Sequence, residues 1–180
     1  ANNHIPDLAE YTYQYPIVAS SLAPVKLQNM TRSWRHNSDN DVDGIIVQLP
    51  LPKHLDPDVI INSINPSKDV DGLTKNTKFT PGTARGISEL LEYYGIPLTG
   101  KKVTVMGRSK LVGAPIANMC RNSGAIVTVC HSESENIPEK AKDSDILIVA
   151  IGKPNHVDEK FVSKDQIVID VGITRWDDRL

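Results

Sequence analysis

The run Gly107-Arg108-Ser109-Lys110-Leu111-Val112-Gly113 has the residue types a phosphate-binding loop needs. Glycines let the backbone turn tightly and approach a pyrophosphate, and a helix N-terminus behind them presents free N–H groups. Gly107 and Gly113 fall between a predicted strand and a predicted helix, the context in which such a loop has meaning. The spacing departs from G-x-G-x-x-G. Ser109 stands at the middle glycine, and the closing glycine comes one residue later. A plain strand-to-helix turn would also explain two glycines.

The end of the next strand bears on which nucleotide would bind. A site for NAD places Asp or Glu roughly 20 residues on to grip the ribose 2′-hydroxyl. Here the strand runs out through Val129-Cys130-His131-Ser132, with no carboxylate before Glu133. His131, Ser132 and the cationic Arg108 suit a 2′-phosphate, so NADP is the expected cofactor. The plainer alternative makes His131 a solvated loop residue and Arg108 a surface charge.

Two further positions carry polar chemistry in apolar surroundings. Gln48 ends the run Ile45-Ile46-Val47, and Pro50 and Pro52 stiffen the exit so that its side chain keeps one direction. It is either a cleft residue or simply a polar end to a strand. Asp69 and Asp71 precede Gly72, where aspartates either form a turn or accept hydrogen bonds from a ligand.

The elements that would position these residues follow from periodicity. Tyr11–Tyr15 suits a strand, and Val25–Trp34 a helix with Leu27, Met30 and Trp34 on one stripe. Ile45-Ile46-Val47 reads as a strand buried on both faces. Asp56–Ile64 predicts a helix capped by Asp56, with Pro57 first and Val59, Ile60 and Ile64 as its apolar face. Ala84–Tyr94 predicts another, with Ile87, Leu90, Leu91 and Tyr94 on one side and Gly95 as its stop. Beyond that the pattern alternates. Strands are expected at Lys102–Met106, Ala125–Val129, Asp145–Ala150 and Gln166–Val171, with helices at Ala114–Asn122, Pro138–Lys142 and Asp158–Val162. Such alternation predicts right-handed βαβ crossovers and a parallel sheet.

Composition narrows the function classes. A net charge of −2 argues against nucleic-acid binding by phosphate neutralisation. No apolar run approaches the roughly 18 residues of a membrane span, and the N-terminus lacks a signal layout. Cys120 and Cys130 form neither a disulfide framework nor a metal-ligand spacing. A cytoplasmic protein with no metal site, no membrane and no nucleic-acid partner is the expectation.

Five segments in one order carry a resemblance. They are Val47-Gln48-Leu49-Pro50-Leu51-Pro52, Lys68-Asp69-Val70-Asp71-Gly72, Gly107-Arg108-Ser109-x-x-Val112-Gly113-x-Pro115, Cys130-His131-Ser132 and Ile169-Asp170-Val171-Gly172-Ile173. Together the chain resembles the methylenetetrahydrofolate dehydrogenase/methenyltetrahydrofolate cyclohydrolase family. The resemblance implies an α/β fold of two lobes with folate between them. The C-terminal lobe would be a Rossmann-type, doubly wound parallel sheet, and the protein a homodimer. It further implies oxidation of 5,10-methylenetetrahydrofolate with NADP+ to the methenyl form, then hydrolysis to 10-formyltetrahydrofolate, in one-carbon metabolism and purine biosynthesis. A partial folate lobe is expected over 1–78 and the NADP lobe over 79–180.

By the same resemblance, Gln48 and Asp71 are the catalytic candidates, and Gln48, Leu49, Pro50 and Asp71 bind tetrahydrofolate derivatives. Gln48 would hydrogen-bond the family's catalytic lysine, and Asp71 would receive the pterin. The cofactor would be held by Thr83, Gly107, Arg108, Ser109, Val112, Gly113, His131, Ser132, Ala150, Gly152, Gly172 and Ile173. Several features depart from the family. Gly82 and Ala84 replace a cysteine and a proline, and the stretch from Gly72 to Pro81 is short. The Tyr-x-x-x-Lys motif does not occur here; its lysine would fall at or before His4, and Lys26 is not given its role. The family's Pro-Gly-Gly-Val-Gly-Pro segment would lie past Leu180, so an incomplete chain is expected. A silent dinucleotide-binding module, a dehydrogenase-only relative and a shikimate-type dehydrogenase are the competing readings. The glutamine and aspartate motifs argue against the last.

Overall fold

The computed structural model describes residues 36–174. The expected strand at Tyr11–Tyr15 and helix at Val25–Trp34 lie outside them. The chain divides into two compact units, Ala1–Phe79 and Thr80–Leu180.

In the first unit, α1 spans Pro57–Ile61. Asp56 caps it as its sequence suggests, its Oδ1 accepting from the Asp58 N–H (2.9 Å) and the Val59 N–H (3.4 Å). The helix ends earlier than expected. The Asn62 amide closes it by donating to the Asp58 carbonyl, and Ile64 is reached through a turn. Val59 is 54% exposed; the buried residues are Ile61 and Ile64, packed with Ile45 and Val47. Ile45-Ile46-Val47 is likewise corrected. Ile46 is 48% exposed, because an extended segment alternates its side chains and, among the described residues, only the Ile45 and Val47 face is covered. Ile45 pairs in parallel with Asp69, and its N–H donates to the Lys68 carbonyl at 2.7 Å.

The second unit opens with α2, Gly82–Tyr93, whose Ala84, Ile87 and Leu91 are buried. Leu90, at the edge of that stripe, is 44% exposed. Tyr94 is also exposed: it is the C-cap, past the last helical residue, and Gly95 follows at φ +65°. Then come β1 (Lys102–Met106), α3 (Gly113–Asn122), β2 (Ile126–Cys130), α4 (Ile137–Lys142), β3 (Ile146–Val149) and β4 (Ile167–Asp170). The expected helix at Asp158–Val162 is a turn instead. The Asp158 carboxylate accepts the Lys160 N–H and its carbonyl accepts the Phe161 N–H, a local closure that competes with helix.

The strands form one parallel sheet in the order β2-β1-β3-β4. Val103, Val105, Ile146 and Ile148 face α2 and α3, while Met106, Leu147 and Val149 face α4. Both faces are therefore covered, which explains why β3 is buried at every position. Full burial of each large aliphatic side chain contributes about 1.5–3 kcal/mol. The buried Thr104 hydroxyl is satisfied by donating to the Lys140 carbonyl (2.9 Å). From β1 the chain crosses to β2 on one side, then passes back over β1 to β3 on the other. That reversal opens a crevice at the C-terminal ends of β1 and β3, where open α/β sheets bind ligands. No helix among the described residues is long and apolar enough to cross a membrane.

Candidate nucleotide site and polar residues of the first unit

The loop from Gly107 to Gly113 leaves β1 at that crevice. Gly107 has φ +120°, and a Cβ on it would lie 2.5 Å from the Ala150 carbonyl oxygen at the end of β3. A Cβ on Gly113 would overlap the Gly107 carbonyl. Both glycines are thus required by close approach of backbone to backbone, which draws the loop tight at the N-terminus of α3, where a dinucleotide pyrophosphate would lie. Ser109, in the middle glycine's place, supplies what a glycine cannot. Its Oγ accepts from the Val112 and Gly113 N–H groups (3.2 and 3.3 Å), and its carbonyl accepts from Ala114 (2.9 Å). Val112, the N-cap of α3, makes no side-chain cap bond, so Ser109 satisfies those first N–H groups.

A cavity of about 550 Å³ lies beside this loop, within the usual size range of ligand pockets. It brings together Gly107, Arg108, His131 and Ser132, four of the residues singled out from sequence. Parallel register explains the meeting. Met106 pairs with Cys130, so the residues just past each strand emerge side by side. Ile151 lines it too, within the stretch from Ala150 to Gly152 expected at the cofactor; Lys153, His156 and Ile137 also line the cavity, and sequence reasoning missed them. They come from segments following β2 and β3, and only the strand order shows that these meet. Cys130 forms part of the lining; burial pushes its thiol up, which keeps it neutral and unreactive.

A smaller cavity, about 210 Å³, is lined by Gly152, Lys153, His156, Asp170 and Gly172 among others. Gly152 (φ +57°) and Gly172 lean on each other's loops: a Cβ on Gly152 would lie 2.7 Å from the Ile173 carbonyl oxygen, and one on Gly172 2.8 Å from the Gly152 nitrogen. Asp170 holds the turn by accepting the Gly172 N–H at 2.8 Å, and Thr174 Oγ1 donates to the Gly152 carbonyl. Ile173 is exposed and lines neither cavity. Nor does Thr83, which is exposed in the first turn of α2. Among the described residues there is no cluster of metal-ligating side chains.

In the first unit the two aspartates take different parts. Asp69 is buried and is the turn former: its Oδ1 accepts the Gly72 N–H (3.0 Å) and its Oδ2 the Thr74 N–H (2.7 Å). Burial alone would raise its pKa. The bonds it accepts, first from Thr74, outweigh burial and hold it below the ordinary carboxylate range. Asp71 is half-buried, and among the described residues no donor is bonded to its carboxylate. Gln48 is exposed, its side-chain amide donating to the Leu49 carbonyl (3.0 Å) ahead of a cis Leu49–Pro50 bond. Lys68, beside this turn, is tied to the carbonyls of His36 and Asp39.

Two family profiles match the chain. Residues 81–180 match "Tetrahydrofolate dehydrogenase/cyclohydrolase, NAD(P)-binding domain", and residues 27–71 match the catalytic domain of the same description. The bifunctional protein FolD of Ligilactobacillus salivarius is 48% identical over 151 residues, covering 79% of this chain and 53% of the relative. That of Acholeplasma laidlawii is 44% identical over 153 residues, covering 80% and 55%. Among solved structures, the Campylobacter jejuni FolD dehydrogenase/cyclohydrolase superposes with a TM-score of 0.80 at 38% identity, covering 83% of this chain and 57% of that one. The Trypanosoma brucei enzyme, solved with NADP cofactor and inhibitor, gives 0.75 at 33%, covering 86% and 55%. The chain spans about half the length of the curated relatives it matches.

Proposed function

The chain belongs to the tetrahydrofolate dehydrogenase/cyclohydrolase family, and on that footing we propose that the protein oxidises 5,10-methylenetetrahydrofolate with NADP+ and hydrolyses the methenyl product to 10-formyltetrahydrofolate. The observation that carries this reading is the tight glycine loop between β1 and α3, beside a cavity lined by Arg108, His131 and Ser132. Bound NADP+ supplies the hydride acceptor. Gly107, Ser109, Val112 and Gly113 border its pyrophosphate, which the positive end of α3 attracts. Arg108, His131 and Ser132 take the 2′-phosphate. Ala150, Gly152, Gly172, Ile173 and Thr83 border the nicotinamide end.

In the folate lobe, Asp71 accepts hydrogen bonds from the amino group and ring N–H of the pterin. Gln48, with Leu49 and Pro50, faces the reacting end and partners the group that moves the proton during attack of water. Hydride transfer needs chiefly that both reactants be held in register, which is the work of these positions. Cytoplasmic operation, assembly as a homodimer and supply of one-carbon units to purine biosynthesis belong to this proposal through the family likeness.

The test is direct. The full-length protein is incubated with methylenetetrahydrofolate and NADP+ while NADPH absorbance is followed; absence of NADPH formation overturns the reading. The cofactor assignment has a separate check. Arg108→Ala is expected to weaken NADP+ about tenfold or more while leaving NAD+ within about twofold, since a charge-assisted bond to phosphate is lost. An unchanged ratio in titrations of both nucleotides would remove Arg108 from the 2′-phosphate subsite.

A further inference from the structure

Arg108 does not face the cavity alone. Its Nη2 donates to Glu133 Oε2 at 2.9 Å. The same carboxylate oxygen lies 3.7 Å from His131 Nδ1, and that ring nitrogen accepts the Glu133 N–H at 3.3 Å. One carboxylate oxygen therefore sits against two of the three groups that would receive a 2′-phosphate. The contact is built by the sheet: Met106 and Cys130 are paired in register, so the residues after them leave side by side. Glu133 is itself held by the turn in which the Ser134 N–H donates to the His131 carbonyl and the His131 N–H to Ser134 Oγ.

We propose that Glu133 is a specificity-determining residue, whose carboxylate stands in the anion position on Arg108 and beside His131 and so reduces the site's preference for NADP over NAD. The inference rests on the reading of this unit as a nucleotide site and deepens it. The physical reasoning has two parts. With NADP, the 2′-phosphate brings nearly two negative charges and three acceptor oxygens to a guanidinium that already has an anionic partner. Arg108 exchanges one acceptor for another, which costs little because both side chains are largely exposed, at 58% and 71%. The displaced carboxylate then stays tethered next to the phosphate and repels it. With NAD there is no second anion. Glu133 keeps Arg108, and its carboxylate is free to accept from the ribose 2′-hydroxyl, the service an acidic residue performs at the end of this strand in NAD sites.

The experiment measures equilibrium binding of NADP+ and of NAD+ to the full-length protein and to Glu133→Gln, at low and at high salt, with thermal melting as a check on folding. Repulsion between neighbouring anions in a water-like dielectric is worth about tenfold in affinity. Glu133→Gln is therefore expected to tighten NADP+ about tenfold at low salt, with NAD+ unchanged or weaker and the gain shrinking as salt screens it. Because Glu133 is exposed, the melting temperature is expected to stay put, and Glu133→Ala must move the ratio in the same direction. A ratio of NADP+ to NAD+ affinity that stays within about twofold of wild type in both variants overturns this proposal and leaves the reading of the site intact. Failure of the wild-type protein to bind either nucleotide overturns both.

Discussion

Replacing Gly107 by alanine is expected to abolish measurable NADP+ binding and to destabilise the nucleotide unit by about 3 kcal/mol or more. Two costs combine at this residue. Its φ of +120° lies where L side chains are strained, and a Cβ there would meet the Ala150 carbonyl oxygen at 2.5 Å. The clash is with backbone, so no rotamer relieves it. Relief requires β1 and β3 to part at their C-terminal ends, where Met106 pairs with Val149 and the Ala150 N–H donates to the Met106 carbonyl at 2.7 Å. That is also the crevice a nucleotide would enter. Gly86, by contrast, has open space where its Cβ would be, and alanine there is expected to leave binding unchanged. Denaturant unfolding and NADP+ titration of the two variants give the comparison. A Gly107→Ala protein with wild-type affinity would show that the loop does not approach the ligand.

Asp69→Ala is the second large effect, and it acts on stability. The substitution removes the acceptor from two buried N–H groups, those of Gly72 and Thr74, and leaving such groups unpaired costs about 3 kcal/mol in all. Asp71→Ala is expected to leave stability nearly intact and to cut dehydrogenase activity about a hundredfold, the worth of hydrogen bonds to one charged acceptor. Melting curves and initial rates of both variants separate the aspartates; equal effects on both readouts would contradict the division of labour. Acid should expose the same carboxylate. The folded-state pKa of Asp69 is held below the ordinary value, so its contribution is fully present above pH of about 4 and is lost as pH falls through the lower, folded-state value. Asp69→Asn is expected to remove that part of the acid-induced loss of stability.

The nucleotide unit was legible in the sequence because its central strands, β1 and β3, are buried on both faces. Apolar runs of the right length between glycines leave little choice, and β1 has the limits its sequence predicts. The first unit was harder. Ile45-Ile46-Val47 has the same composition as a doubly covered strand, yet which face receives cover depends on partners distant in sequence. The turn at Asp158 shows the converse: a helical-looking stretch lost to a side-chain bond available only locally. At the site, residue types pointed to Arg108, His131 and Ser132, whereas Lys153 and His156 carry no local signal. Glu133 stood in view as the first carboxylate after β2. Its contact with Arg108 follows from the parallel register of two strands, a quantity that no single segment contains.

The mutual contact of Gly152 and Gly172 has a mechanical meaning. Each loop leans its backbone on the other with no side chain between, and Thr174 ties them once more. A side chain between two loops acts as a spring that can change rotamer; backbone against backbone transmits displacement almost rigidly. The exits of β3 and β4 therefore meet without a side-chain spacer. Any residue larger than glycine at either position would force them apart and reshape the smaller cavity they border.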